Sequence, residues 1–336
     1  MKNSFILARS FLQWDKAMTR QIGSDRHRCF NGSKNSPGVG YAKAIAHHGE
    51  LLQGVFEGQD GRLHRGLLTL PMSLRHSQAT FWPSKEVGVR TRPGDRLKAS
   101  RAALATLEYL GLNGCGADLT LESDIPVGHG YGSSTADVVA AIRATATALD
   151  TELRRSTICR LAIASEAASD AIVYADQAVL FAHREGFVLE HFGDEYPPLV
   201  VVGFQDLQAV PIDTLSTRRA RFDIEEIEIF RVLRGLTSRS IRYQDPRLLG
   251  QLATMSARIN QRYLPKAGWD RALELARRSQ ACGIQVAHSG TLFGILLDGM
   301  DPAAATRANA LADQAAQAGF SAIQVFAINT ERRMFA

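Results

Sequence analysis

Cysteine is scarce in this chain: Cys29, Cys115, Cys159 and Cys282 stand far apart, and no two form a C-x-x-C pair. That scatter excludes a zinc ribbon and a disulfide framework, and it suits a reducing cytoplasm. Long apolar runs are missing too; nothing approaches the roughly 18 residues that a membrane-spanning helix requires. No internal repeat or low-complexity tract is evident. No lysine occurs from Asp118 to Asp150, around the densest glycine motif, so a P-loop of the form G-x-x-x-x-G-K-[ST] is excluded there. Net charge is absent from most of the chain. Residues 1–36 hold seven basic side chains (Lys2, Arg9, Lys16, Arg20, Arg26, Arg28, Lys34) against Asp15 and Asp25, which accounts for the whole formal +5. A body balanced at zero is not a nucleic-acid-binding surface. For the basic tail a poorly ordered extension is expected, with an amphipathic surface segment and a targeting sequence as alternatives. Its Phe5–Ala8 run is too short for a signal-peptide core.

What is present is most concentrated at Ile125–Leu149, IPVGHGYGSSTADVVAAIRATATAL. Gly128, Gly130 and Gly132 lead into Ser133 and Ser134. Val138, Val139, Ile142, Ala146 and Leu149 then follow at the spacing of one buried helical stripe. A glycine loop feeding a helix start lets backbone N–H groups approach an anion, with the positive end of the helix dipole behind them. The serines can cap the helix or reach a metal-bound phosphate. A dinucleotide fingerprint needs G-x-G-x-x-G, whereas this loop reads G-x-G-x-G and Pro126 separates it from the preceding strand. The rival reading, a structural turn with a serine cap, has against it the tandem serine and the strong helix that follows.

These residues resemble the GHMP kinases (galactokinase, homoserine kinase, mevalonate kinase, phosphomevalonate kinase), whose central ATP-binding motif runs P-x-x-x-G-L-G-S-S-A-A. Ala46–Gly54, AHHGELLQG, resembles the family's N-terminal Gly-Glu motif, especially the C-G-E-[LF]-I-Q-G form of the bacterial L-threonine kinases. Val286–Gly294, VAHSGTLFG, resembles the third motif in that subgroup's A-H-S-G-[ST]-x-x-G form. The resemblance implies an α+β, two-domain GHMP kinase fold. Its N-terminal domain would be ribosomal protein S5 domain 2-like and its C-terminal domain ferredoxin-like. The expected division is a tail at 1–36, an ATP-binding domain at 37–195 and a C-terminal domain at 196–336, with the linker at Tyr196-Pro197-Pro198.

The resemblance also implies ATP and Mg2+, a small hydroxylated acceptor, no nucleic acid or membrane span, and room for a homodimer. By it, Pro126, Gly128, Gly130, Gly132, Ser133 and Ser134 cradle nucleotide, and Ser134 with Glu166 holds magnesium. Asp170 faces the reacting hydroxyl, Glu50 orients substrate, and Ser289, Gly290 and Thr291 supply donors to the acceptor or γ-phosphate. Each has a plainer reading: Glu166 as a helix-surface carboxylate, Asp170 as a turn cap, Ser289–Thr291 as a strand-connecting turn. The subgroup reads roughly E-P-T-D where this chain has Glu166-Ala167-Ala168-Ser169-Asp170, and Ile45 and His48 replace its Pro and Cys. If the helix continued past Glu166, it would share a face with Asp170 at i,i+4. His47, His48 and His288 make no convincing metal set, and Arg218, Arg219, Arg221 and Arg242 read as solvated arginines before they read as a site for an acidic substrate. The activity expected is γ-phosphoryl transfer from ATP to L-threonine, a step that in the subgroup feeds cobalamin's aminopropanol arm. The alternatives are a homoserine-like or specialised alcohol kinase and a non-catalytic ligand sensor.

Overall fold

Gly40–Glu57 forms an 18-residue strand, β1, whose stretch from Ala46 to Phe56 is buried almost throughout. A strand covered on both faces loses the polar alternation that marks half-buried strands, and sequence patterning left this one unassigned. The structure is a computed structural model, and it describes residues 37–193, 195–208 and 220–330. The basic tail, Cys29, Arg218 and Arg219 lie outside the described residues.

β1 pairs antiparallel with β2 (Leu63–Ser84) along nearly its whole length. Patterning suggests two short runs, Leu67–Leu70 and Gln78–Trp82, but one 22-residue strand includes both. Pro71, between the runs, pairs with His47 at a break in the register, where a missing ladder donor is tolerated. Among the described residues the sheet has ten strands, in the order β10-β7-β9-β8-β1-β2-β4-β3, with β5 on β2 and β6 on β5. The remaining strands are β3 (Gly88–Arg92), β4 (Gly116–Ser123), β5 (Val179–Ala182), β6 (Phe187–His191), β7 (Leu199–Asp206), β8 (Gly283–Val286), β9 (Leu292–Asp298) and β10 (Phe320–Ile328). β8 meets β1 at a single pair, Glu50 opposite Val286. Glu50 therefore sits where the two halves of the sheet join.

Helix α1 (Leu97–Tyr109) and helix α3 (Arg155–Glu166) pack on α2 (Ser133–Ala148), which lies across β1 and β2. α2 is Ala- and Val-rich and buried nearly all round, as a central core helix must be. α4 (Ile224–Arg242) starts with a full capping box between Asp223 and Glu226, and α5 (Pro246–Asn260) lies on β8 and β1. α6 (Trp269–Arg278) and α7 (Ala304–Gln317) cover the β7–β10 end. The larger apolar core draws on both sides of the expected linker, from Leu68 and Val138 to Phe230 and Leu252. A smaller core under α6 and α7 contains Val202, Phe204, Ile284, Phe293 and Leu311. The mixed architecture agrees with the α+β expectation.

Candidate functional site

Gly128, Gly130 and Gly132 all have positive φ (83°, 100° and 72°), conformations that an L side chain rarely adopts. Gly132 is the N-cap of α2 and no side chain caps that helix. The serine cap of the rival reading does not form: Ser133 and Ser134 are the first two helical residues. The first-turn N–H groups of α2 consequently face the loop without a capping oxygen, the condition under which a helix start receives an anion. Pro126 and Gly128 are half-buried in the same loop, and Ser133 is buried.

The loop is locked from two sides. His47 N–H donates to Tyr131 O at 3.1 Å, and Thr291 N–H donates to His129 O at 2.9 Å. Glycine at 130 is dictated by the third motif, since a Cβ there would meet Ala287 Cβ at 2.7 Å and Ser289 O at 2.9 Å. A Cβ at 132 would run into the His47 ring. Thr291 Oγ1 donates to Gln205 Oε1 at 3.1 Å and also lies 3.1 Å from His129 Nδ1, while Gly290 O accepts from Lys266 Nζ at 2.7 Å. Ser289 is half-buried and Gly290 buried. The Ser289–Thr291 turn thus braces the glycine loop.

Successive residues in the first turn of α2 reach two different carboxylates. Ser134 Oγ donates to Glu166 Oε2 at 2.6 Å. Thr135 Oγ1 donates to Asp170 Oδ2 at 3.2 Å. α3 stops at Glu166 and Ala167 is left-handed (φ 64°), so the expected shared helical face of Glu166 and Asp170 does not form. Asp170 stands at the start of the 3-10 turn Ala171–Tyr174 without capping it; its carboxylate goes to Thr135 and to His47 Nε2, 3.0 Å away.

Glu166 is buried, and its Oε1 has no hydrogen-bond partner. Burial pushes its carboxyl up to about 7, against the opposing pull of the Ser134 hydroxyl and the Lys98 ammonium. A buried hydroxyl–carboxylate pair with one oxygen to spare fits a hard divalent cation such as magnesium, which takes oxygen ligands and keeps several waters. Lys98, unanticipated from sequence, donates to Ser134 Oγ at 3.0 Å and lies 3.9 Å from Glu166 Oε2. The pairing of Arg96 with Asp137 of α2, at 3.4 Å, fixes the start of α1 above that turn.

Around Asp170 lies a cluster of opposite charges. Burial alone would raise its carboxyl, but the hydrogen-bonded His47 outweighs this and holds it below its ordinary range. His47 is raised in turn: burial lowers it, while Asp170 and then Glu50 raise it further. Glu50, fully buried, accepts from the backbone N–H of His288, and its Oε1 lies 3.2 Å from His288 Nδ1 and 3.8 Å from His47 Nδ1. His47, Glu50 and Asp170 offer ligand atoms within 4.8 Å of one another. The two ring nitrogens face different carboxylates, Nε2 hydrogen-bonded to Asp170 and Nδ1 without a hydrogen bond at 3.8 Å from Glu50. His48 turns away into the core against Gln285, and burial keeps it neutral, down at about 3. Of the arginines, the described Arg221 and Arg242 are exposed. Sequence reading missed Lys98 and Thr135 and set His47 aside; only His47 had a signal, its place beside the Gly-Glu motif.

The same arrangement of sheet and helices recurs in phosphotransferases. The homoserine kinase of Cytophaga hutchinsonii superposes with a TM-score of 0.64 at 15% identity, covering 90% of this chain and 98% of its own. The phosphomevalonate kinase of Streptococcus pneumoniae gives 0.60 at 11% identity, over 86% and 99%. Identities this low establish a common fold alone. Residues 98–183, from Lys98 through β5, match the family model for the GHMP kinases N-terminal domain. The chain is 29% identical to the L-threonine kinase of Salmonella typhimurium over 269 residues, 77% of this chain and 83% of that one. It is 30% identical to the L-threonine kinase of Citrobacter freundii over 184 residues, 54% and 62% of the two chains. Residues 98–183 thus carry the match to a GHMP kinase N-terminal domain, and together with the similarity to the two L-threonine kinases this supports a phosphotransferase.

Proposed function

We propose that this protein is a magnesium-dependent kinase that transfers the γ-phosphoryl group of ATP to the hydroxyl of L-threonine. The observation that carries the proposal is the first turn of α2, where adjacent residues hold the Ser134–Glu166 pair and the Thr135–Asp170 pair. Phosphoryl transfer needs positioned phosphates, neutralised charge and an oriented acceptor hydroxyl, and these two pairs supply the last two side by side.

Residues 128–134 receive the phosphates on backbone N–H groups, and Gly130 and Gly132 keep that backbone free of side chains. Ser134 and Glu166 hold Mg2+, which when bound neutralises charge on the phosphates. Asp170, kept ionised by His47 and fixed by Thr135, accepts or orients the acceptor's hydroxyl proton. Glu50 ties the third motif to β1 through His288 and so holds the acceptor side closed. Residues 37–195 then bear the nucleotide, and 196–336 complete the acceptor site. Threonine as acceptor rests on the similarity to the two L-threonine kinases. No helix among the described residues is long and apolar enough to cross a membrane, and a cytoplasmic place is part of the proposal.

The test is ADP release from Mg-ATP across L-threonine, L-serine, L-homoserine and simple alcohols. Threonine should give the highest kcat/KM. A higher value for homoserine would reassign the acceptor, and release with none of them would remove the kinase reading for this class.

A further inference from the structure

The Lys98 ammonium pairs, among the described residues, with one carboxylate, that of Glu166. It stands 3.0 Å from Ser134 Oγ and 3.9 Å from Glu166 Oε2, while those two oxygens are 2.6 Å apart. A cation bound by both oxygens at the usual magnesium distance of ~2.1 Å would lie within about 5 Å of that ammonium. Two cations cannot share such a space at low cost unless anions separate them. The backbone below Lys98 is fixed, because Arg96 pairs with Asp137 and Asp137 accepts from Ser77 Oγ at 2.5 Å. The side chain above it is free to move: it is 46% exposed, on a stem with four rotatable bonds. The exposed, flexible group beside this pair is therefore one that carries positive charge.

We propose that Lys98 acts as an internal cation, covering the Ser134–Glu166 pair in the nucleotide-free protein and moving onto the polyphosphate when nucleotide arrives with its metal. It would thereby refuse the free divalent ion and admit the metal–nucleotide complex. Lys98 would also provide the charge that a P-loop lysine provides elsewhere, from a helix start 36 residues before the serine. This inference rests on the proposed metal role of Ser134 and Glu166, and the experiment separates the two.

Mn2+, a paramagnetic stand-in for magnesium, is titrated into nucleotide-free protein and followed by electron paramagnetic resonance, for the wild type, K98M, K98R and the double variant K98M/E166Q. Binding of Mn2+ with a non-hydrolysable ATP analogue is measured in parallel. The expected result for K98M is free-ion affinity raised by about 10-fold or more, with metal–nucleotide affinity lowered by about 10-fold. K98R should stay near the wild type in both. The two shifts have opposite signs, which a general loss of structure would not produce, and circular dichroism of each variant checks the fold. Free-ion affinity that is unchanged or weakened in K98M, or metal–nucleotide affinity that is not lowered, would overturn the proposal. If K98M gained Mn2+ affinity and kept the gain in K98M/E166Q, the ion would be sitting elsewhere. The metal role of Glu166 would then fail, and the proposal with it.

Discussion

His47 Nε2 lies 3.0 Å from Asp170 Oδ2, so a side chain of the first motif is hydrogen-bonded to the carboxylate proposed for the acceptor side of the site. The other ring nitrogen faces Glu50 at 3.8 Å. His47→Gln keeps a hydrogen-bonding side chain and removes the charge. Asp170 should then titrate higher, and the acid limb of the kcat profile should move up by about 1–3 pH units. Glu50 on the same strand and His288 and His183 opposite also face this cluster, so the parallel variant His288→Gln is the control. An acid limb that stays in place in His47→Gln would remove His47 from the chemistry.

The same pair gives stability a pH window. Asp170 is lowered, so its share is present above its ordinary value near 4 and is lost as pH falls through the lower folded value. His47 is raised, so its share is present below 6.5 and is lost as pH rises through the folded value. Urea melts of wild type minus His47→Gln should therefore show their largest difference between about pH 4 and 6.5, and a difference that is flat with pH would contradict the pairing.

Asp170→Asn preserves shape and the contact with Thr135. Loss of a proton acceptor typically costs roughly 10²–10⁴ in rate, so kcat should fall in that range while ATP binding stays close to normal. A carboxylate that only caps a turn would be replaced by asparagine at little cost; near-normal kcat would thus falsify its place at the reacting hydroxyl.

Glu166 links pH to the proposed metal site. Its folded value, about 7, exceeds the ordinary 4.5, so the metal-free protein holds an extra proton between those values and loses stability as pH rises through them. Glu166→Gln should stabilise metal-free protein by on the order of 2 kcal/mol at pH 8 and very little at pH 4.5. It should also cut turnover about 100-fold, as should Ser134→Ala, with the double variant less than additive because both act through one ion. An equal stability change at the two pH values, or full additivity in the rates, would break the assignment.

Gly130→Val tests the loop contact. A strained backbone alone costs about 1–2 kcal/mol, which Gly61→Ala should show, since Gly61 has φ +70° and open space around it. At Gly130 the added side chain must also push apart the glycine loop and the Ala287–Gly290 turn, so nucleotide affinity should fall along with stability. Nucleotide binding unchanged in a folded Gly130→Val protein would take this loop out of the site.

Much of the fold was legible locally. Apolar patterning alone places a helix around Leu97–Leu110, where α1 spans Leu97–Tyr109, and a strand at Leu292–Leu297, where β9 spans Leu292–Asp298. Periodicity fails where burial is two-sided, as in β1, whose inner stretch hides His47, His48, Glu50 and Gln53 among apolar residues. The short β6 also went unassigned. The glycine loop, Ser134, Glu166 and Asp170 stand out as candidates through the resemblance to the family's motifs, from which the spacing at Asp170 departs. Their contacts do not show in the sequence. Lys98 reaches Ser134 across 36 residues and His47 reaches Asp170 across 123, and only the packing of α1, α2 and β1 brings them together. Asp170 departs from the i,i+4 geometry because Ala167 leaves the helix, a left-handed turn that no glycine announced.

The central claim, phosphoryl transfer to the secondary hydroxyl of L-threonine, is tested most directly by proton-coupled ³¹P NMR of protein incubated with Mg-ATP and L-threonine. A phosphate ester on threonine has one proton on the carbon bearing the oxygen, so a new phosphomonoester doublet should grow as the γ-phosphate signal of ATP declines, and Asp170→Asn should slow it. Growth of inorganic phosphate alone, or a phosphomonoester triplet only when a primary alcohol such as homoserine replaces threonine, would contradict the account.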